Sequence, residues 1–175
     1  MTESLRGQLL IASPALSDYF RRTVVLVIEH TDEGAFGLVL NRRAEASVSD
    51  AVPVLTALTG EDLVVNVGGP MAPDSVVVLG WFADPSHAAT PVMGDVGLLD
   101  PEASDADLRD VRVYAGHAGW APGQLDDELE QEAWIVEDAE PADPFEDGDL
   151  WALALQRKGG AYALLATMPA DPTQN

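Results

Sequence analysis

The sequence contains no cysteine, which removes disulfides, thiolate nucleophiles and thiolate metal sites from consideration. Basic residues are scarce: nine Lys and Arg stand against thirty Asp and Glu, a formal net charge of −21. Five of the nine (Arg6, Arg21, Arg22, Arg42 and Arg43) fall in the first 43 residues, and the window from Val113 to Gln156 holds twelve acidic residues and no basic one. Nucleic-acid affinity comes mostly from neutralising phosphates, so no direct nucleic-acid binding is expected. The acidity has two readings: solubility, as in a host with an acidic proteome, or a specific basic partner. Long hydrophobic runs are missing too. None approaches the ~20 residues that span a bilayer, and the opening "MTESLRGQLL" carries Glu3 and Arg6 in place of a signal peptide's apolar core. No membrane association is expected, and the expected location is cytoplasmic. The G-x-S-x-G, G-x-G-x-x-G and Walker patterns are all absent.

What is present is a core-forming composition, 47% apolar and 22% charged over 175 residues. That suits one domain covering 1–175. Strands are expected at 7–13, 23–30 and 35–41, the last two joined as a hairpin across "TDEG". Continuous apolar runs such as Val24–Ile28 imply strands covered on both faces. A helix is expected within 47–60, capped by Ser49 or Asp50. Strands follow at 62–70 and 74–82 around a Gly-Gly-Pro turn, and one or two edge strands lie within 86–100. A helix start at 101–108 precedes a strand at 111–116. The next residues, "GHAGWAPGQLDDELEQEAWIVED", read as a Gly/Trp/Pro-rich turn, then a helix with a Leu125/Leu129/Ala133 stripe, then a short strand. The segment 137–149 reads as a polar surface connection. A helix over 147–158 has the acidic start and basic end that the macrodipole favours, with Gly159 as its stop. A final strand is expected at 162–169. Strands outnumber helices and cluster in hairpin-like pairs, so the fold class is α+β with a mixed, mainly antiparallel sheet and packed helices.

Four stretches occur together in order: "ASPALSDYFRRTVVLVIEHTDEGAFGLVLNR", "GGP" at 68–70, "GHAGWAPGQLDDEL" and "YALLATMPADPTQN". Together they resemble the YqgE/AlgH family (UPF0301, DUF179) over nearly the whole chain. The resemblance implies a compact α+β bacterial cytoplasmic protein. It also implies an old label as a transcriptional regulator, with no established activity, cofactor or catalytic residue. Two positions depart from the family pattern. Asn41-Arg42-Arg43 stands where the family has Asn-basic-Pro, and His117 stands where Tyr is common, which argues against His117 as a base.

Two constellations compete as sites. Trp120, with Gln124 at the following helix start, is either a lid over a ligand or a plug packed into the fold. Asp126, Asp127 and Glu128 complement the helix dipole there and would repel a phosphate. Glu29 and His30 end an apolar strand and point to opposite faces. His30 is either an acid–base group, helped by Arg22 or Asn41, or a structural residue bonded across the turn, with Glu29 paired to Arg21 or Arg22. A metal held by His30, His87 and His117 would need three distant loops to meet, so no metal and no cofactor are expected. Arg21-Arg22 and Asn41-Arg42-Arg43 could form a basic island or simply balance nearby carboxylates. The expected function is a non-enzymatic ligand- or protein-binding domain, with regulation as one role open to it, using Arg22, Glu29, His30, Asn41, Trp120 and Gln124 toward a small molecule or protein partner. The alternatives are a hydrolase using His30 with Glu29 or Asn41, and a transcriptional regulator acting indirectly through a protein partner.

Overall fold

The computed structural model describes residues 4–14, 16, 20–47, 64–84, 88–99, 108–146 and 148–167. The expected helix within 47–60, the helix start at 101–108 and His87 lie wholly or largely outside them. The apolar runs form strands where the pattern places them: β1 (Gln8–Ala12), β2 (Val24–Thr31) and β3 (Gly34–Val39). β1 pairs antiparallel with β2, and β2 forms the expected hairpin with β3. Alternate residues serve different layers. Leu9, Ile11, Val24, Leu26 and Leu38 enter one apolar cluster, while Leu10, Ala12, Val25, Val27 and Val39 enter another. The sheet is therefore covered on both faces, which is why these strands lack polar alternation. Each fully buried Leu, Ile or Val contributes about 1.5–3 kcal/mol to that arrangement.

Further along are β4 (Arg43–Ser47), β5 (Val64–Val67), β6 (Met71–Phe82), β7 (Thr90–Met93), β8 (Val96–Leu98), β9 (Leu108–Trp120) and β10 (Trp134–Asp138). The main path runs β10-β1-β2-β3-β9-β6-β8-β7, with β4 on β5 and β5 on β9. Every pairing among the described residues is antiparallel except β5 with β9. The expected α+β class with a mixed, mainly antiparallel sheet is the observed one.

Three local expectations fail, each for a physical reason. The Gly-Gly-Pro segment is not a turn between neighbouring strands. Val113, Tyr114 and Ala115 of β9 pair with β5 on one edge and with β6 on the other, so the chain passes across β9 between them. That passage is backbone against backbone. A Cβ on Gly69 would lie 2.2 Å from the His117 carbonyl carbon, and one on Gly116 2.5 Å from the Gly69 oxygen. The glycines shared between "GGP" and "GHAG" thus belong to one close crossing. For the same reason the stretch read as a turn from Gly116 continues as strand to Trp120, and only 121–123 turn.

The second failure concerns 162–169, where the structure has a helix at Ala161–Leu165. A short apolar run has no periodicity to tell helix from strand, and Ala and Leu are strong helix formers. The three helices described are α1 (Gln124–Glu130), α2 (Leu150–Lys158) and α3, this last one. α2 is built as expected: the Asp149 carboxylate accepts the Ala152 N–H, Arg157 and Lys158 fill the last turn, and Gly159 ends it with φ 79°. Its Leu150, Trp151, Ala154 and Leu155 face the first cluster, and the Trp151 indole N–H donates to the Ala12 carbonyl at 2.9 Å.

The third failure is the "surface" connection at 137–149. Asp143, Pro144 and Phe145 form a buried 3-10 turn. Asp143 accepts two bonds from the Arg157 guanidinium, at 2.6 and 2.9 Å. This pairing holds the Arg157 pKa above its ordinary value.

Candidate functional site

The residues singled out in the sequence divide between the two ends of the β2–β3 hairpin. Arg22 and Asn41 stand at its open end. The Asn41 amide is used on backbone, with Oδ1 accepting the Val24 N–H at 3.0 Å and Nδ2 donating to the Arg22 carbonyl at 2.9 Å. That clamp holds Arg22 at φ 58°, and its guanidinium carbon lies 4.1 Å from the centre of the Trp151 ring. Arg42 donates to the Arg21 carbonyl at 3.3 Å, so its side chain reaches the Arg21–Arg22 segment. Glu29, His30, Trp120 and Gln124 belong to the turn end. Seven residues separate Arg22 from Glu29, roughly 20 Å of extended chain, so the six residues do not share one pocket.

At the turn end, Glu29 is exposed and His30 buried, as strand alternation requires. His30 Nδ1 accepts the Leu5 N–H at 3.0 Å, and its Nε2 lies 3.5 Å from Asp126 Oδ1. The partner of His30 is therefore Asp126 of α1, and its ring is directed into the fold. Its expected helper Asn41 is at the far end of the hairpin.

Trp120 is also anchored. α1 begins at the left-handed Gly123, where the Gln124 Oε1 accepts the Ala121 N–H at 2.9 Å and closes the turn. One turn later, Glu128 Oε1 accepts the indole N–H of Trp120 at 3.1 Å and that of Trp134 at 2.9 Å, while its Oε2 accepts from Gln124 at 3.0 Å. The two indoles meet edge to face, with centroids 6.1 Å apart. A carboxylate that accepts two buried indole donors satisfies groups that would otherwise be costly to bury. Glu128 drew no attention in the sequence except as one more acidic residue of a first turn. The signal available was its position four residues beyond Gln124, on the same helix face.

Beside this anchored tryptophan lies an open cleft of about 240 Å³, lined by Glu29, Thr31, Glu33, Gly34, Ala35, Phe36 and Trp120. β3 pairs with the end of β9 through Ala35 and Trp120, so the hairpin turn itself forms one wall. Phe36 is supported from behind by His117, with ring centroids 4.8 Å apart. The cleft offers two exposed carboxylates and a hydroxyl, with Phe36 and Trp120 in its walls. Of its lining, Glu29 and Trp120 were legible as candidates in the sequence. Glu33 was hidden inside a turn signal. Among the described residues no group of three or more His, Asp and Glu is placed to hold a metal ion. No helix among them is long and apolar enough to cross a membrane.

Comparison with known proteins places this geometry in a lineage. The family model described as AlgH-like matches residues 9–163. A UPF0301 protein of Streptomyces coelicolor is 43% identical over 193 residues, covering 100% of this chain and 98% of the relative. One from Thermobifida fusca is 40% identical, covering 98% of this chain and 96% of the relative. Among solved structures, protein DIP2367 of Corynebacterium diphtheriae has a TM-score of 0.84 at 30% identity, covering 95% of this chain and 93% of that one. The AlgH protein of Pseudomonas aeruginosa has a TM-score of 0.72 at 26% identity, covering 97% and 98%. The chain belongs to the AlgH-like (UPF0301) family.

Proposed function

We propose that this chain is a non-enzymatic binding protein that takes a cationic group, an amine or a guanidinium, in the cleft beside the β2–β3 turn. The observation that carries this is the lining: the Glu29 and Glu33 carboxylates share the cleft with Phe36, which is the cross-strand partner of Glu29 on the same face of the sheet. A cation there pairs with carboxylate, worth about 0.5–1 kcal/mol at a solvent-open site, and gains a similar amount where it stands over the face of the Phe36 ring. Such affinity is modest, so the physiological ligand adds contacts elsewhere, either as a larger small molecule or as a protein partner. Regulation then proceeds through that partner in the cytoplasm. With a net charge of −21 the chain has no direct affinity for duplex DNA at physiological salt.

A hydrolase would need His30 to meet its substrate. His30 is buried, one ring nitrogen accepts a backbone N–H, and the other faces Asp126 on the side of the strand away from Glu29. That geometry favours binding over catalysis. Native mass spectrometry of freshly purified protein, followed by denaturing analysis of what dissociates, tests the proposal. An amine or guanidine that leaves on unfolding and is lost in Glu33→Gln supports it. An anionic passenger, or one unaffected by Glu29→Gln and Glu33→Gln together, refutes it. A pH–rate profile inflecting near a histidine pKa and abolished by His30→Gln would establish the hydrolase instead.

A further inference from the structure

The sheet ends at β10 on one side and β7 on the other. The β7 edge is short, carries Pro91, and has the Arg6 guanidinium on the Pro91 carbonyl, all of which blunt it against pairing. The β10 edge is different. In β1 the Ala12 N–H bonds to Thr23, toward β2, while the Ser13 N–H bonds to Ala133, toward β10. Alternation along the ladder then turns the peptide groups of Trp134, Val136 and Asp138 away from β1, onto the free edge. The carbonyls confirm this phase: Lys158 Nζ donates to Val136 O at 2.7 Å and Arg157 Nη1 to Asp138 O at 3.4 Å. The edge is thus covered by two side chains from the end of α2.

Along that edge runs a groove of about 410 Å³. Leu129, Glu132 and Trp134 wall it on the α1 side, and Tyr162 and Leu165 of α3 on the other. An added strand needs this shape: a row of outward peptide groups between two layers that receive alternate side chains.

From this we infer that β10 is a docking edge for an extended, basic segment of a partner protein, which adds as a strand and displaces Lys158 from the Val136 carbonyl. Charge sets the choice of occupant. Glu132, Glu137 and Asp138 flank the groove, and the chain is strongly acidic. A second copy would bring like charges together at the seam, whereas lysines and arginines on a partner strand would pair with them. Lys158 is the latch. Arg157 is already committed to Asp143 and Glu140, while among the described residues the Lys158 ammonium rests on Val136 O and, at 5.2 Å, the Tyr162 ring.

The probe is a fluorescein-labelled heptapeptide of alternating lysine and valine, with a second peptide of equal charge whose central valine is proline. Fluorescence polarisation should show saturable binding of the first, weakened at least about tenfold in the proline peptide. Lys158→Ala should bind the alternating peptide about threefold tighter or more, because the Val136 carbonyl no longer has to be vacated, with no matching gain for the proline peptide. In the wild-type protein, amide exchange at Trp134 and Val136 should slow when the peptide is bound, a readout that depends on no variant. Equal binding of both peptides, weaker binding by Lys158→Ala, or protection that avoids β10 would overturn the proposal. So would Val136 protection that appears without peptide and grows with protein concentration, since that would make the occupant a second copy.

Discussion

Replacing Glu128 by alanine removes one acceptor from three donors at once. The Trp120 and Trp134 indoles are 7% and 4% exposed, so water cannot readily replace the lost oxygen. Each stranded donor costs about 1–3 kcal/mol. The third donor, Gln124, is exposed and finds water, so it adds little. The expected loss is therefore roughly 4 kcal/mol, near the middle of the ~2–6 kcal/mol that two such donors allow. For a chain of this size it corresponds to a fall in Tm of about 8–16 °C. Glu128→Gln keeps an oxygen for the indoles and loses charge and one acceptor, so it should cost only about 1–2 kcal/mol. Glu130, exposed on the same helix, is the control and should be within about 0.5 kcal/mol of wild type as alanine. Urea unfolding at constant m-value reads all three variants. If Glu128→Ala matched Glu130→Ala, the anchoring of the two tryptophans by this carboxylate would be wrong. So would the account of how the cleft wall is fixed.

The remaining predictions concern other parts of the fold. Asp143→Asn should destabilise by about 3 kcal/mol, at the low end for a broken buried pair because Arg157 keeps 28% of its side-chain surface exposed, as urea unfolding would show. Gly69→Ala should cost about 3 kcal/mol or more, because its Cβ meets backbone at 2.2 Å. Gly123→Ala, left-handed but in open space, should cost only about 1–2 kcal/mol in the same assay. Burial pushes the Tyr114 phenol far above its usual range, so the folded chain holds that proton after the unfolded chain has released it. The contribution is complete below pH ~10, and stability should fall by about 1.4 kcal/mol per unit above it. Tyr114→Phe should remove that slope in alkaline denaturation.

Much of the fold was legible because apolar runs and turn residues are local signals. β1, the β2–β3 hairpin, α1 and α2 appear where periodicity and caps put them. What escaped depends on contacts distant in sequence. Gly69 and Gly116 each look like turn glycines alone, and only the tertiary structure shows them pressed together. Ala161–Leu165 is too short for its period to be read, and its helix is fixed by packing beside α2. Asp143 and Phe145 looked like surface residues because the chain around them is acidic and Pro-bearing, yet Arg157 and the Trp81 ring bury them. The candidate residues read as one set fall at two ends of one hairpin. Composition showed that Arg22, Asn41, Glu29 and His30 flank one hairpin, while only the strand length shows that they stand at opposite ends of it. Glu33 and Glu128 were overlooked because one acidic residue among thirty carries no local mark of its partners.

The proposed cation site is the cleft of Glu29, Glu33, Phe36 and Trp120. An NMR titration with arginine methyl ester reads its occupancy, with acetate as the anionic counterpart. Saturable shifts confined to the backbone amides of Glu29–Phe36 and Trp120 are expected, lost in Glu33→Gln while the rest of the spectrum is kept. Shifts scattered over the acidic surface, or the same response to acetate, would contradict that assignment.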